Sequence, residues 1–406
     1  GKLYRKSKDV FAGIDYEDDD RENRIGRYAS GHPRQKVFEI MKRLLCIIGS
    51  MNAGGAETFL MKVYRRLDKT KYQMDFCINV AEKCFYEDEI TSLGGRIYRI
   101  TPKSESIGNF RKQLFDVVKS NGYKYVLRIT SNAFGFMDLK IAHKAGATVC
   151  AARSSNSSDG GSLKSRAAHM LGRLLYGRYV NVRIAPSDLA AKYTFGNRAY
   201  KNGSVKILHN AIDTDVYGFD AQGRKNIRAE LKISENTTVI GHVGRFTAQK
   251  NHLFLIDVFS EYVKQSEDSI LVLVGNGELE GEIRNRAAER GVSDRIVFTG
   301  VRSDVPALFS AMDVFVFPSF YEGMPNAVIE AEATGLPCVI SDRITREADI
   351  TGLVDYLPLG DAAAWAEHIR SMSLPVVRKT PCREFTENCY DIESVTKQFV
   401  RLVFQE

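Results

Sequence analysis

The chain has 406 residues, 44% of them apolar and 26% charged, with a formal net charge of +7. That length suits two hydrophobic cores better than one, and the composition is that of a globular protein rather than a disordered or fibrous one. No stretch approaches the roughly eighteen consecutive apolar residues of a spanning helix, and the charge fits anionic partners such as nucleotides or lipid head groups, with no nucleic-acid signature beside it.

Residues 1–40 carry the acidic run Glu17 to Asp20, then Arg21, Arg24, Arg27, Arg34 and Lys36, with few apolar periods. They are expected to form a loosely ordered extension. Gly1 to Tyr16 lacks an apolar h-region, so no signal peptide is predicted. Met41 opens a run, Leu44 to Ile48, that reads as a buried strand, and the folded part is expected to begin there. A glycine-containing turn follows, then a helix with Leu60, Val63, Tyr64 and Leu67 on one face. Met74 to Val80, Arg96 to Ile100, Tyr125 to Ile129, Thr148 to Ala152 and Val182 to Pro186 are strand-like, and the alternation predicts a parallel sheet covered by helices.

The pattern then restarts. Val239 to Val243, Ile270 to Val274, Arg295 to Thr299, Val314 to Pro318 and Cys338 to Ser341 are short apolar runs separated by helical periods. The predicted fold class is therefore α/β, with two Rossmann-like domains facing across a cleft at the carboxyl ends of their strands. The expected domains are 41–210 and 211–390, joined by a linker near Asn210 to Asn226. Residues 391–406 are expected to form a helix that packs back toward the first domain. The seven cysteines are scattered without a CxxC pair, which predicts buried free thiols and a cytoplasmic protein.

Three segments carry chemistry. Gly49 to Glu57 places Gly54 and Gly55 between a strand and a helix, where backbone can approach a ligand and the helix start favours an anion; a tight turn with no ligand fits that loop equally well. Arg245 and Lys250 flank the start of the next domain's first helix, and a guanidinium fork with an ammonium suits a diphosphate. In Pro318 to Asn326 a strand gives way to a Gly/Pro turn and then a helix that Gly335 stops. Glu322 sits in that turn and Glu330 two helical turns on, and such carboxylates are good acceptors for sugar or ribose hydroxyls.

These residues resemble the retaining GT-B glycosyltransferases of family 4, whose mark is two glutamates with seven residues between them, as in Glu322 and Glu330. The likeness runs from Met41 to Arg370, through Gly54-Gly55-Ala56-Glu57, Gly244-Arg245, Asn251-His252 and Phe298-Thr299-Gly300. Ser341 to Glu347 is similar to the subgroup that builds capsular and exopolysaccharides. The resemblance implies a nucleotide-sugar donor, a UDP-sugar first among them, and a glycan or lipid-linked acceptor, with no metal and no other cofactor. It implies that Arg245 and Lys250 hold the donor diphosphate, Gly54 and Gly55 close over it, and Glu330 binds the ribose. Glu322 would touch the transferred sugar beside Gly323, Met324, Pro325 and Asn326, with Val301 and Arg302 at the base. Where the subgroup carries first-domain histidines, this chain has Arg128-Ile129-Thr130 and Ala152-Arg153-Ser154-Ser155-Asn156, so Arg153 and Asn156 become the acceptor-side candidates.

Other features have plainer readings. Asp213-Thr214-Asp215 is a DxD in the linker and is expected to be structural rather than metal-binding, and the histidines lack ligand spacing. Leu163 to Arg183 sets Lys164, Arg166, Arg173, Arg178 and Arg183 beside Met170, Leu171, Leu174, Leu175 and Tyr179. Such a helix can pack its apolar face on the sheet, the favoured expectation, or lie on an anionic membrane as a peripheral anchor. The rival functions are a non-catalytic nucleotide-sugar- or glycan-binding subunit, and an isomerase or phosphorylase on the same fold.

Overall fold

The computed structural model describes residues 41–52, 54–155, 163–322, 324–372, 374 and 378–406, with side chains given from 166 onward after the second break. The expected extension at 1–40 lies outside the described residues.

Two parallel sheets form the frame. The first has strand order β3-β2-β1-β4-β5-β6-β7, from β1 (Lys42–Ile47), β2 (Tyr72–Ile78), β3 (Ile97–Arg99), β4 (Tyr125–Thr130), β5 (Val149–Ser154), β6 (Val182–Ala185) and β7 (Val205–Ile207). The second has order β10-β9-β8-β11-β12-β13, from β8 (Thr238–Val243), β9 (Ser269–Val274), β10 (Ile296–Gly300), β11 (Val314–Phe317), β12 (Cys338–Ser341) and β13 (Val354–Leu357). Both are doubly wound. Strand order reverses between β1 and β4 in one and between β8 and β11 in the other, and ligands of such sheets bind at the crevice this leaves. The short strands β7 and β13 escaped sequence reading because each offers only three or four positions, and Lys206 and Asp355 interrupt their apolar runs.

Each sheet is buried on both faces, which is why its strands read as continuous apolar runs. Leu44, Cys46, Phe76, Leu127 and Ala151 face one core of the first sheet, and Leu45, Ile47, Val126, Cys150 and Ala152 face the other. The second sheet repeats this with Val239, Val272, Phe315 and Cys338 against Ile240, Leu271, Val314 and Val339. Five of the seven cysteines are buried; Cys382 is exposed and Cys389 partly so.

The chain crosses between the sheets twice, and the two crossings are bonded together. Ile212 N donates to Tyr390 O at 2.8 Å, and Ile392 N donates to Ile212 O at 2.9 Å. The outgoing crossing is shorter than the expected linker: Gly223 lies inside the helix Ala221–Glu230, capped by Asp220 through Gln222 N. After the return crossing, Asp391 caps the helix Ile392–Val403 through Ser394 N at 2.9 Å. Its apolar stripe of Val395, Phe399 and Val403 enters the first sheet's core, where Phe399 meets Phe59 edge-on and Phe404 meets Tyr72.

One sequence expectation needs correction, and the linker DxD has the structural role expected of it. The helix Leu163–Tyr176 does not pack its leucines on the sheet. It is held through His169, which accepts from Ala133 N and faces Tyr193 O, and through Gly172, where a Cβ would stand 2.5 Å from Ala133 O. That inner face turns Met170, Leu171, Leu174 and Leu175 outward, and Leu174 is 78% exposed. The linker DxD is an ion-pair partner: Asp213 receives Arg66 at 2.8 Å, with Asp215 and Glu393 at 3.7 and 3.5 Å. Among the described residues no group of three or more His, Cys, Asp or Glu side chains could hold a metal ion.

The helix Asn326–Ala333 ends at Gly335, whose φ of +67° and close approach to Lys379 O favour glycine. One turn earlier Glu332, fully buried, accepts from Ile350 N, Thr351 N and Thr351 Oγ1. Burial pushes its pKa up to about 8 despite those bonds. Between about 4.5 and 8 the folded state therefore holds a proton that the unfolded chain has lost, so stability falls as pH rises through that window. Glu332→Gln is expected to flatten that fall while keeping one acceptor for the loop. Urea unfolding of both proteins at pH 5 and pH 8.5 checks it, and parallel pH dependence would refute it.

Candidate active site

A cavity of about 440 Å³ lies at the two switch points, walled by both domains. Gly54, Gly55, Thr58, Phe59 and Lys62 come from the start of the helix Gly55–Arg66. Asn210, Ala211 and Ile212 come from the crossing. Gly244, Arg245, Lys250, Glu322, Met324, Asn326, Ala327, Ile329 and Glu330 come from the second domain.

Sequence explains the local shape. The helix Gly55–Arg66 starts after Gly54 with no side-chain cap, and Gly54 and Gly55 line the cavity. Gly55 allows a close approach: a Cβ there would stand 3.2 Å from Asn326 Nδ2 across the domain boundary. The helix Asn326–Ala333 also lacks a side-chain cap, because Pro325 precedes it. Two helix starts thus present partial positive charge to one space. Ile329 and Ala333 anchor the second of these helices against Ile212, Phe385 and Tyr390, beside the crossings.

The charges are arranged in pairs. Lys250 Nζ lies 2.8 Å from Glu322 Oε1, and Gln249 Nε2 donates to the same oxygen at 3.1 Å. Lys62 Nζ, from the first domain, reaches Glu330 Oε1 at 3.5 Å and donates to Ala211 O at 3.0 Å. The Tyr217 ring lies 5.2 Å from that ammonium, and burial followed by the Glu330 carboxylate pushes its phenol pKa up. Arg245 is exposed and has no side-chain partner among the described residues.

A second cavity of about 230 Å³ adjoins the first and shares Gly55, Asn210, Glu322, Met324 and Asn326 with it. Its further walls include Arg153, Ser155, Ser187 and Gln249. Arg153, at the end of β5, donates to Asn210 Oδ1 at 2.7 Å, and Asn210 Nδ2 donates to Asn326 Oδ1 at 2.7 Å. The Arg153 guanidinium stacks on Phe59 at 3.6 Å, and burial pushes its pKa down to about 9.

The structure thus brings together Gly54, Gly55, Arg245, Lys250, Glu322, Met324, Asn326 and Glu330 in one cavity, with Arg153 in the next. Pro325 is buried behind the turn. Val301 and Arg302 do not line either cavity; Arg302 is held by Asp304 and Glu230, both at 2.6 Å. Gly323 and Asn156 lie outside the described residues. Arg128, from the first histidine-like stretch, is tied to Asp138 at 2.9 Å and to Ile47 O. Sequence reading missed Lys62, Thr58, Phe59 and Gln249. The one available signal was Lys62 itself, a cation set between the buried Met61 and Val63.

Comparison with known proteins places this geometry. Residues 237–373 match the family described as glycosyl transferases group 1. The putative glycosyltransferase EpsF of Bacillus subtilis is 35% identical over 334 residues, covering 81% of this chain and 87% of that protein. The capsular polysaccharide biosynthesis glycosyltransferase CapH of Staphylococcus aureus is 25% identical, covering 88% and 97%. The UDP-Gal:alpha-D-GlcNAc-diphosphoundecaprenol alpha-1,3-galactosyltransferase of Escherichia coli is 34% identical over 143 residues, 34% of this chain and 36% of that one. Among solved structures, Anabaena HepE in complex with UDP and glucose superposes with a TM-score of 0.70 at 18% identity, covering 90% of this chain and all of that one. WaaG, from lipopolysaccharide biosynthesis, gives 0.62 at 14%, with 90% and 100% covered. These structures share the GT-B fold.

Asn210 couples a first-domain cation to a second-domain amide. Asn210→Ala removes both bonds and leaves Arg153 and Asn326 short of a partner, a loss of about 1–3 kcal/mol. Chemical denaturation checks it; a change below ~0.5 kcal/mol would show the linkage to be idle.

Proposed function

This chain belongs to the family of group 1 glycosyltransferases, and from that premise we propose that it is a retaining, metal-independent enzyme of surface-polysaccharide biosynthesis. Its donor is a UDP-sugar, and its acceptor is a glycan or a lipid-linked saccharide. The observation that carries this reading is the 440 Å³ cavity in which Arg245, Lys250 and two uncapped helix starts face Glu322 and Glu330. The name of the Escherichia coli relative, with its UDP-galactose donor and diphosphoundecaprenol acceptor, supports the donor and acceptor classes.

In the proposed reaction the bond between the anomeric carbon and the donor's β-phosphate oxygen breaks, and negative charge grows on the departing UDP. Arg245, Lys250 and the helix amides stabilise that charge where it develops, in the role a metal ion plays elsewhere. Glu330 accepts the ribose hydroxyls, exchanging Lys62 for them. Glu322 gives up Lys250 to the diphosphate and turns to the hydroxyls of the transferred sugar. The acceptor oxygen forms its bond on the face the phosphate leaves, and its proton passes to a phosphate oxygen. Closure of the two domains keeps water from the donor.

Calorimetry with UDP tests the donor site. Arg245→Ala and Glu330→Ala are each expected to weaken UDP at least tenfold, with GDP and ADP bound more weakly by wild type. Turnover of a UDP-sugar in the presence of EDTA, with NMR of the product anomer, tests the chemistry. UDP binding without turnover of any UDP-sugar would favour the non-catalytic subunit, and no UDP binding would overturn the donor assignment.

A lipid-linked acceptor requires the enzyme to reach a bilayer. Among the described residues no helix is long and apolar enough to cross one. The outward Met170, Leu171, Leu174 and Leu175, beside Arg166, Arg173 and Arg178, suit an anionic membrane surface instead. Wild type is expected to sediment with phosphatidylglycerol vesicles and not with phosphatidylcholine ones. Leu171→Glu with Leu174→Glu should abolish this while leaving UDP affinity within twofold; equal sedimentation of both proteins would exclude this face.

A further inference from the structure

Among the described residues, Arg153 is a buried cation without a counter-ion. Its side chain is 1% exposed, and its Nη2 contacts are the Leu208 carbonyl at 3.4 Å and the Asn210 amide oxygen at 2.7 Å. Its third neighbour is the Phe59 ring. None of these is an anion, and Nε has no hydrogen-bond partner among the described residues.

The contrast with Arg228 shows how this fold treats a structural guanidinium. Arg228 is equally buried, and it is paired with Asp313 at 2.7 Å and bonded through Nε and Nη1 to four backbone carbonyls. A buried charge left without such compensation is costly. Where the fold does not supply the partner, a ligand can.

The position limits which ligand. Arg153 lines the second cavity only; Phe59, on which it stacks, lines the first. On the proposed reading the donor diphosphate already has Arg245 and Lys250, which line the first cavity and not the second. The second cavity shares Glu322 and Asn326, among other residues, with the first; on the proposed reading Glu322 receives the donor's sugar there, which leaves the second cavity to the acceptor. At about 230 Å³ it is smaller than the ~300–1,000 Å³ of typical ligand pockets and suits one small polar unit, such as a sugar ring. Ser155, Ser187 and Gln249 offer hydroxyl and amide groups to such a ring. Among the described residues Glu322 is the one carboxylate in its wall, and Lys250 is already beside it.

We propose that Arg153 holds an anionic group on the acceptor, so that this enzyme glycosylates an acidic saccharide in preference to a neutral one. The proposal rests on the glycosyltransferase reading and names the substrate class of its second cavity. Two sources supply the same chemistry: the carboxylate of a uronic acid and the phosphate of a sugar phosphate. Both present paired oxygens to a planar guanidinium fork.

The test uses the full chain saturated with UDP and compares binding of glucose, glucuronate and glucose 1-phosphate by calorimetry. At least one anion is expected to bind tenfold or more tightly than glucose. Glucuronate alone doing so identifies a carboxylate, and glucose 1-phosphate alone a phosphate. Arg153→Gln should bring that anion to within twofold of glucose, and Arg153→Lys should restore part of the difference. UDP affinity, measured on each variant, should stay within twofold and reports that the site has folded. Wild type showing no anionic preference, including no binding by either anion, overturns the proposal whatever the variants do. Preference that survives in a UDP-binding Arg153→Gln also overturns it. Failure of wild type to bind UDP is a separate result and falls on the donor site.

Discussion

Ile212 bonds to both Tyr390 and Ile392, so the two chain segments that pass between the sheets meet at one residue. From that junction the rest of the site takes its position. Two residues upstream, Asn210 reaches Asn326 and Arg153. Beside it, Ile329 and Phe385 fix the helix that carries Glu330. Beyond it, the helix Ile392–Val403 is buried in the first sheet's core through Val395, Phe399 and Val403. A chain that crossed once would leave the second domain tethered by a single strand. Crossing twice, side by side, bonds the two tethers to each other at Ile212.

The cavity is preorganised but self-satisfied. Glu322 and Glu330 are largely buried carboxylates, and each has a lysine in reach, Lys250 on the same domain and Lys62 on the other. Pairing limits the cost of holding these charges out of water. It also means that a ligand must offer something for each member of the pair. A nucleotide-sugar does so, since its phosphates suit the lysines and its hydroxyls suit the glutamates. A ligand with only one of these chemistries would break the pairs without replacing them, which is a physical basis for selectivity between a bare phosphate and a sugar nucleotide.

The legible and illegible parts of this protein divide along sequence separation. Buried parallel strands such as Leu44 to Ile48 and Val314 to Phe317 announce themselves as apolar runs, and the restart of the pattern at Val239 marks the second sheet. Glu322 and Glu330 were legible because both lie in one strand–turn–helix unit, where spacing is geometry. Lys62, Phe59 and Gln249 were not, because each enters the cavity through a fold-level juxtaposition that no local pattern encodes. The outward leucines of the helix Leu163–Tyr176 were misjudged for a similar reason. Their amphipathic period is real, but His169 and Gly172 choose which face turns in, through contacts with Ala133 some thirty-six residues away. Arg302 is placed at the base by resemblance alone; it is paired with Glu230, seventy-two residues upstream, and does not line the cavity.

The measurement that bears most directly on the central claim is a crystal structure with UDP. The account predicts the diphosphate between Arg245 and Lys250 and near the amides of Gly54 and Gly55. Lys250 should have left its 2.8 Å contact with Glu322, and the ribose hydroxyls should stand within hydrogen-bond distance of Glu330. UDP bound elsewhere, with Lys250–Glu322 and Lys62–Glu330 both intact, would contradict it.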